Sequence, residues 1–161
     1  MIGKEVKVNL GSGVQFRHVG VFNIDKLYSE LKGFMEDSGY DFNEDTHTEK
    51  EKSTGKNISI IWTFERDVTD YIKYVVDVKF LLQKIVPASE NLVNGFIKMT
   101  AFGKVILDYK DEWSKNRFSE FMFKMYNNYI IKPQIEKHAK KLRGELDEFH
   151  SLAKEILDFH K

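Results

Sequence analysis

Apolar residues recur at alternating steps of four and three in the C-terminal part of the chain, and no other pattern in the sequence is as regular. This spacing averages about 3.5 residues and keeps the side chains in one narrow stripe along a helix. Because every segment with the period of a strand comes earlier, this helix must lie across the sheet of its own domain or pair with another chain. The stripe, which we call the seam, consists of Ile135, Ala139, Leu142, Leu146, Phe149, Ala153 and Ile156, and His160 continues it.

Most of the preceding chain alternates between apolar and polar residues, the period of two that is typical of β-strands. The clearest run covers residues 70–82, and a second run places Ile58, Ile60, Trp62 and Phe64 on one face. Residues 41–50 alternate with little apolar content, which predicts an edge strand. Residues 87–95 predict a turn or loop, and two further strands are predicted at 96–102 and 104–110, joined around Gly103.

The N-terminal segment predicts a hairpin followed by one helix. Two short alternating runs flank Gly11-Ser12-Gly13, whose glycines tolerate the positive φ of a hairpin turn. The same glycines could form a phosphate-binding loop, but such a loop leads directly into a helix, and here a second strand follows. Asn23 is placed to cap a helix that begins at Ile24 and ends before Gly39.

A helical period begins near Ser114 and continues to the seam. Its first part carries a broad aromatic stripe suited to burial on a sheet, and Pro133 then interrupts the pattern, which predicts a kink or a new start. We therefore predict an α+β fold with a single domain over residues 1–132. Residues 133–161 are predicted as a C-terminal helical extension that either packs on this domain or leaves it. The stripe consists of Phe118, Phe121, Met122, Met125, Tyr126, Tyr129 and Ile130.

The order of elements resembles the helix-grip arrangement of START-like and pollen-allergen-like domains. In that family a curved antiparallel sheet wraps a long C-terminal helix around an apolar cavity, although two short helices usually follow the first strand, where this sequence predicts one. Three segments are also similar to parts of uncharacterised archaeal or archaeal-virus proteins, which implies a lineage and no activity. They read GVFNIDKLYSELKGFMEDSGYDF, ISIIWTFERDVTDYIKYVVDVKF and YNNYIIKPQIEKH.

Composition and charge exclude several classes of protein. Lys and Arg together number 25, as do Asp and Glu, and the resulting zero formal charge argues against a nucleic-acid-binding protein. The absence of cysteine excludes disulfides, a thiol nucleophile and thiolate metal sites. Because no apolar segment has the length of a signal or membrane-spanning sequence, we expect a cytoplasmic protein, or a virion protein if the chain is viral, without membrane contact.

Three groups of polar residues are candidates for chemical sites. Asp45, His47 and Glu49 share one face of a strand and could bind a divalent metal, but a solvated edge strand is the favoured explanation, because side chains in a row along one strand seldom converge on one ion. The histidines of the C-terminal segment are spaced too widely for a helical metal site. The third group consists of Glu65, Arg66, Asp67 and Asp70. It could be an acid/base or anion-binding site, or a surface ion-pair cluster at a β-turn.

Two functions are predicted, and neither involves a catalytic residue, a metal or a cofactor. The first is a structural or assembly protein whose C-terminal helix contacts a protein partner or a second copy through Leu142, Leu146, Phe149 and Ile156. The narrow stripe favours it, because a helix on its own sheet usually shows a wider one. The alternative is a helix-grip-type protein that binds an apolar small molecule. Its cavity, or else a solid core, would be lined by Trp62, Tyr74, Phe80, Phe121, Met125 and Tyr129.

Overall fold

The computed structural model describes residues 4–7, 13–69, 72–107 and 132–158. They form one antiparallel sheet and two helices, so the predicted α+β class is confirmed. The elements in chain order are β1 (Lys4–Lys7), β2 (Val14–Phe22), α1 (Ile24–Asp37), β3 (Asp41–Lys52), β4 (Gly55–Asp67), β5 (Ile72–Ser89), β6 (Leu92–Leu107) and α2 (Lys132–Asp158).

The sheet has the strand order β1-β6-β5-β4-β3, and β2 also pairs with β6. Lys7 lies opposite Lys104 and Val14 lies opposite Ala101, so β1 and β2 follow one another along the same edge of β6. The predicted N-terminal hairpin is therefore wrong, because two strands of a hairpin would pair with each other. An alternating pattern specifies which face of a strand is buried, but it does not specify the neighbouring strand.

Of two predicted breaks, the turn expected at residues 87–95 is present but confined to the two residues between Ser89 and Leu92, and the break at Gly103 is wrong. β5 continues through Pro87 as far as Ser89, and β6 continues through Gly103. Gly103 is explained by packing: a Cβ atom there would lie 2.8 Å from Cδ1 of Leu146 and 3.0 Å from Cδ2 of Leu142. This glycine thus marks the place where α2 comes close to the sheet.

The predicted helix after β2 and the predicted edge strand are present. The Asn23 side chain caps α1 by accepting a hydrogen bond from the Lys26 backbone N–H at 3.0 Å, and Gly39 follows the helix with a φ of +95°. β3 is the last strand of the sheet and joins β4 through the two residues between Lys52 and Gly55. Local capping and turn chemistry were sufficient to place these elements.

The core lies between one face of the sheet, called the inner face, and both helices. α2 contacts β2, β6 and α1. Alternate residues of β4 and β5 supply the sheet side of this core, and Leu27, Leu31 and Met35 supply the α1 side. Neither helix in the described ranges is long and apolar enough to cross a membrane.

The described part of α2 begins at Lys132, so the kink or new start expected at Pro133 stays a prediction. Pro133 is the second residue of α2, and in the first turn of a helix a proline removes no hydrogen bond. A proline at this position is compatible with a new helix start. The aromatic stripe predicted between Phe118 and Ile130 lies outside the described residues.

Candidate functional site

The structure buries the seam residues from Leu142 to Ile156 in the core of their own chain. Leu142 and Phe149 are fully buried, Leu146 is 1% exposed and Ile156 is 5% exposed. A narrow stripe is sufficient here, because Gly103 lets the helix come close to β6. A contact between the seam and another chain stays a prediction, and it would require α2 to leave the sheet.

Three of the six residues predicted to line a cavity lie in the described part of the chain, and all three are buried. The rings of Trp62 and Phe80 pack edge to face with their centroids 4.8 Å apart, and Tyr74 is completely buried. These side chains fill space between the sheet and the helices. Phe121, Met125 and Tyr129 lie outside the described residues.

A groove opens at the end of the inner face where the β3–β4 and β5–β6 turns lie beside the N-terminus of α1. It consists of two adjoining pockets with volumes of about 400 Å³ and about 420 Å³. Both pockets are lined by Ile24, Ile58 and Val93, and the first also by Tyr28 and Ile60. We call this the α1 groove; its size and its apolar walls are typical of small-molecule sites.

A β-bulge in β3 decides which polar side chains reach the α1 groove. Glu44 pairs with Trp62 and Thr46 pairs with Ile61, so Asp45 is an extra residue in the strand. His47 consequently faces inward and lines the first pocket together with Glu49.

The Asp45 side chain instead accepts a hydrogen bond from Thr63, which lies on the other face of the sheet. The bulge therefore separates the three residues considered as metal ligands. Within the described ranges no group of three His, Asp or Glu side chains is arranged to hold a metal ion.

His47 is held between two carboxylates at the edge of the α1 groove. Its Nδ1 atom lies 3.1 Å from Oε1 of Glu44, and its Nε2 atom lies 3.1 Å from Oε1 of Glu49. These two hydrogen bonds raise the pKa of His47 above its usual value, and the bond to Glu49 has the larger effect. The pKa of the Glu49 carboxyl is lowered, chiefly by the hydrogen bond with His47 and secondly by Lys56. The Nζ atom of Lys56 lies 3.0 Å from Oε2 of Glu49.

Tyr28 carries the most unusual polar group of the groove. Its hydroxyl is buried and has no hydrogen-bond partner among the residues described, while its ring packs against Trp62 and Phe80 with centroid distances of 5.5 and 5.2 Å. Burial, assisted by the charges of Glu44, Glu49 and Asp25, raises the pKa of Tyr28 far above its usual value. The phenol therefore stays protonated and can both donate and accept a hydrogen bond.

A second polar cluster lies at the opposite end of the inner face and ties α2 to the sheet. Arg66 Nη1 lies 3.2 Å from Oε1 of Glu145, and the Tyr40 hydroxyl donates to Oε2 of the same carboxylate at 2.6 Å. The Tyr74 hydroxyl forms a hydrogen bond with Nδ1 of His138. These contacts join β4, β5 and the turn after α1 to one face of α2.

The predicted cluster around Arg66 is divided by the pleat of β4. Arg66 points inward to Glu145, whereas Glu65 and Asp67 lie on the other face beside Lys73, at 3.2 and 4.0 Å. Asp70 lies outside the described residues. The arrangement therefore consists of separate ion pairs on two faces of the strand.

The sequence did not identify Tyr28 or Glu44 as members of a site. Tyr28 follows the helical period of α1 and reads as an ordinary core residue, and the inward position of Glu44 depends on the bulge that follows it. One feature of the sequence could have pointed to Tyr28: a phenol within an apolar stripe needs a hydrogen-bond partner.

Comparison of the chain with protein-family models, with curated proteins and with solved structures finds no match.

Proposed function

We propose that this chain is a non-enzymatic binding protein that holds a small apolar molecule in the α1 groove. The observation that carries the proposal is the combination of apolar walls, formed by Ile24, Ile58, Ile60 and Val93, with the unpartnered buried hydroxyl of Tyr28 within the described structure. An unpaired buried hydroxyl costs about 1–3 kcal/mol, and a ligand that bonds to it recovers part of that cost. The volumes of the two pockets match those of sites for small organic molecules.

The helix-grip resemblance supports the same class of function. Domains of that type hold a long C-terminal helix across an antiparallel sheet and enclose an apolar cavity between them. In this chain the proposed site lies at one end of the inner face, beside α1, because Leu142, Leu146 and Phe149 of α2 occupy the centre.

The polar groups of the groove suit binding better than catalysis. His47 is engaged on both ring nitrogens, and Tyr28 keeps its proton, so neither is arranged as a base beside a nucleophile. Assembly through α2 receives less support, because the four seam side chains offered for it are already buried.

A fluorescent titration tests the proposal. The neutral probe N-phenyl-1-naphthylamine, whose emission rises in apolar surroundings, should bind the wild-type chain saturably with a stoichiometry of one. Val93→Trp should greatly reduce that binding, because Val93 lines both pockets and the larger ring would fill the space between them.

Val19→Trp is the matched control, since Val19 is 77% exposed and lines neither pocket. This variant should bind the probe as the wild type does, and circular dichroism should report the same fold for both variants. The proposal is wrong if the wild type shows no saturable binding, or if a folded Val93→Trp protein binds the probe with undiminished affinity.

A further inference from the structure

Negative charge collects at the pocket of the α1 groove that contains Tyr28. Asp25 and Glu49 line this pocket, and Glu44 is held beside it by His47. All three carboxylates act on the Tyr28 hydroxyl in the same direction, favouring its protonated form. A group that enters this pocket therefore meets a negative potential at its polar end.

The positive groups nearby offset this charge only in part. Lys56 bonds to Glu49 from the second pocket, where Lys52 and Glu51 also lie, so the charges of that pocket are mixed. His47 is the other cationic group when it is protonated, and it is already bonded to Glu44 and Glu49. Asp25, in the first turn of α1, makes no ion pair or hydrogen bond with any residue that the structure describes.

The Tyr28 side chain suits a cationic partner in two ways. Its oxygen can accept a hydrogen bond from an ammonium group, and it lies within reach of the fields of three carboxylates. An anion would face three carboxylates and would lose its hydration without compensation. A neutral hydroxyl could bond to Tyr28 but would gain nothing from the charge.

We propose that the ligand of the α1 groove is an amphipathic cation, a primary ammonium with an apolar tail. Its tail would lie against Ile58 and Ile60, and its ammonium group would lie among Asp25, Glu49 and the Tyr28 hydroxyl. The inference rests on the proposed function, which requires only an apolar ligand, and adds the charge of that ligand.

Calorimetric titration with three probes that share an eight-carbon tail tests the charge directly. Octylammonium should bind at least several times more tightly than 1-octanol at pH 7.5, and octanoate should bind more weakly than either. Glu49→Gln should weaken octylammonium binding by roughly threefold, the size expected for a partly exposed charge pair, and should leave 1-octanol binding unchanged. Tyr28→Phe should weaken both of these ligands.

Glu30→Gln is the matched control, because Glu30 is an exposed residue of α1 that lines neither pocket. This change should leave the affinity for all three probes unchanged. Equal affinities for octylammonium and 1-octanol, or an unchanged ratio between them in Glu49→Gln, would overturn the cationic ligand and leave the binding function standing. Failure of all three probes to bind would overturn both proposals.

Discussion

At the scale of single residues, burial decides the protonation of the pair formed by Tyr74 and His138. Burial raises the pKa of Tyr74 to about 12, with Glu145 raising it further and Arg66 lowering it. Burial also lowers the pKa of His138, and the charges of Lys141 and Lys137 lower it further. At neutral pH the phenol therefore donates its proton to Nδ1 of a neutral imidazole.

This pair predicts a loss of stability in mild acid. Because the pKa of His138 is depressed in the folded chain, only the unfolded chain gains a proton as the pH first falls below about 6.5. The contribution of His138 is thus present above that pH and is lost as the pH falls through the folded pKa. Urea unfolding should be measured at pH 7.5 and at pH 5. Between these two pH values the His138→Gln chain should lose less stability than the wild type does.

The control for this measurement is His47→Gln, for which the sign is opposite. The raised pKa of His47 stabilises the folded chain below about pH 6.5, and this contribution is lost as the pH rises through the folded pKa. The His47→Gln chain should therefore lose more stability than the wild type between pH 7.5 and pH 5. Identical pH dependence in wild type and His138→Gln would contradict the proposed role of the pair.

At the scale of elements, the position of α2 depends on one glycine of the strand beneath it. Leu142 and Leu146 lie directly over Gly103 and are almost completely buried, so neither side chain has free space into which to move. The close approach explains why a stripe as narrow as the seam covers this part of the sheet. The sequence predicts an interruption at Gly103, but in the structure this part of β6 is the surface on which α2 packs.

Gly103→Ala should destabilise the chain by about 1–3 kcal/mol, the usual cost of adding atoms to a well-packed core. The physical reason is the 2.8 Å distance between the new Cβ atom and Cδ1 of Leu146. The free energy of urea unfolding, with an unchanged m-value, measures the effect. Gly144→Ala is the control on α2: a Cβ atom there would meet nothing within 4 Å, and helix propensity predicts a gain of about 0.5–1 kcal/mol. A stability for Gly103→Ala equal to or above that of the wild type would show that α2 does not pack closely on β6.

At the scale of the whole molecule, α2 is held by contacts of two kinds. The seam supplies apolar burial along the middle of the helix, and Glu145 connects the helix to Arg66 and Tyr40 at one end of the inner face. Glu145 and Arg66 are 18% and 25% exposed, so their ion pair is only partly screened by solvent. The helix thus closes one side of the core and leaves the α1 groove open at the other end of the sheet.

Leu146→Glu distinguishes this arrangement from a helix that contacts another chain. The change places an unpaired carboxylate at a side chain that is 1% exposed, so we expect a loss of about 3–5 kcal/mol in unfolding free energy with no change in mass. Urea unfolding and light scattering measure the two quantities. The exposed substitution Lys140→Glu, on the same helix, should alter stability by no more than about 0.5 kcal/mol. A smaller mass for Leu146→Glu with unchanged stability would instead support assembly through the seam.

The sequence by itself determined the elements whose signals are local. Asn23 and Gly39 bound α1 because capping depends on neighbouring backbone groups, and the alternation of Ile58, Ile60 and Trp62 identified the buried face of β4 because side chains on a strand alternate. The period of the seam likewise identified the buried stripe of α2.

Only the tertiary structure decided which surfaces those elements meet. An alternating strand can pair with any antiparallel neighbour, so the placement of β1 and β2 along β6 was not readable from their pattern. The bulge at Asp45 turned His47 and Glu49 toward α1, and it arises from the pairing of β3 with β4. The seam faces its own sheet because Gly103 leaves room for Leu142 and Leu146. Gly103 lies about forty positions before the two leucines in the chain, so they meet only after folding.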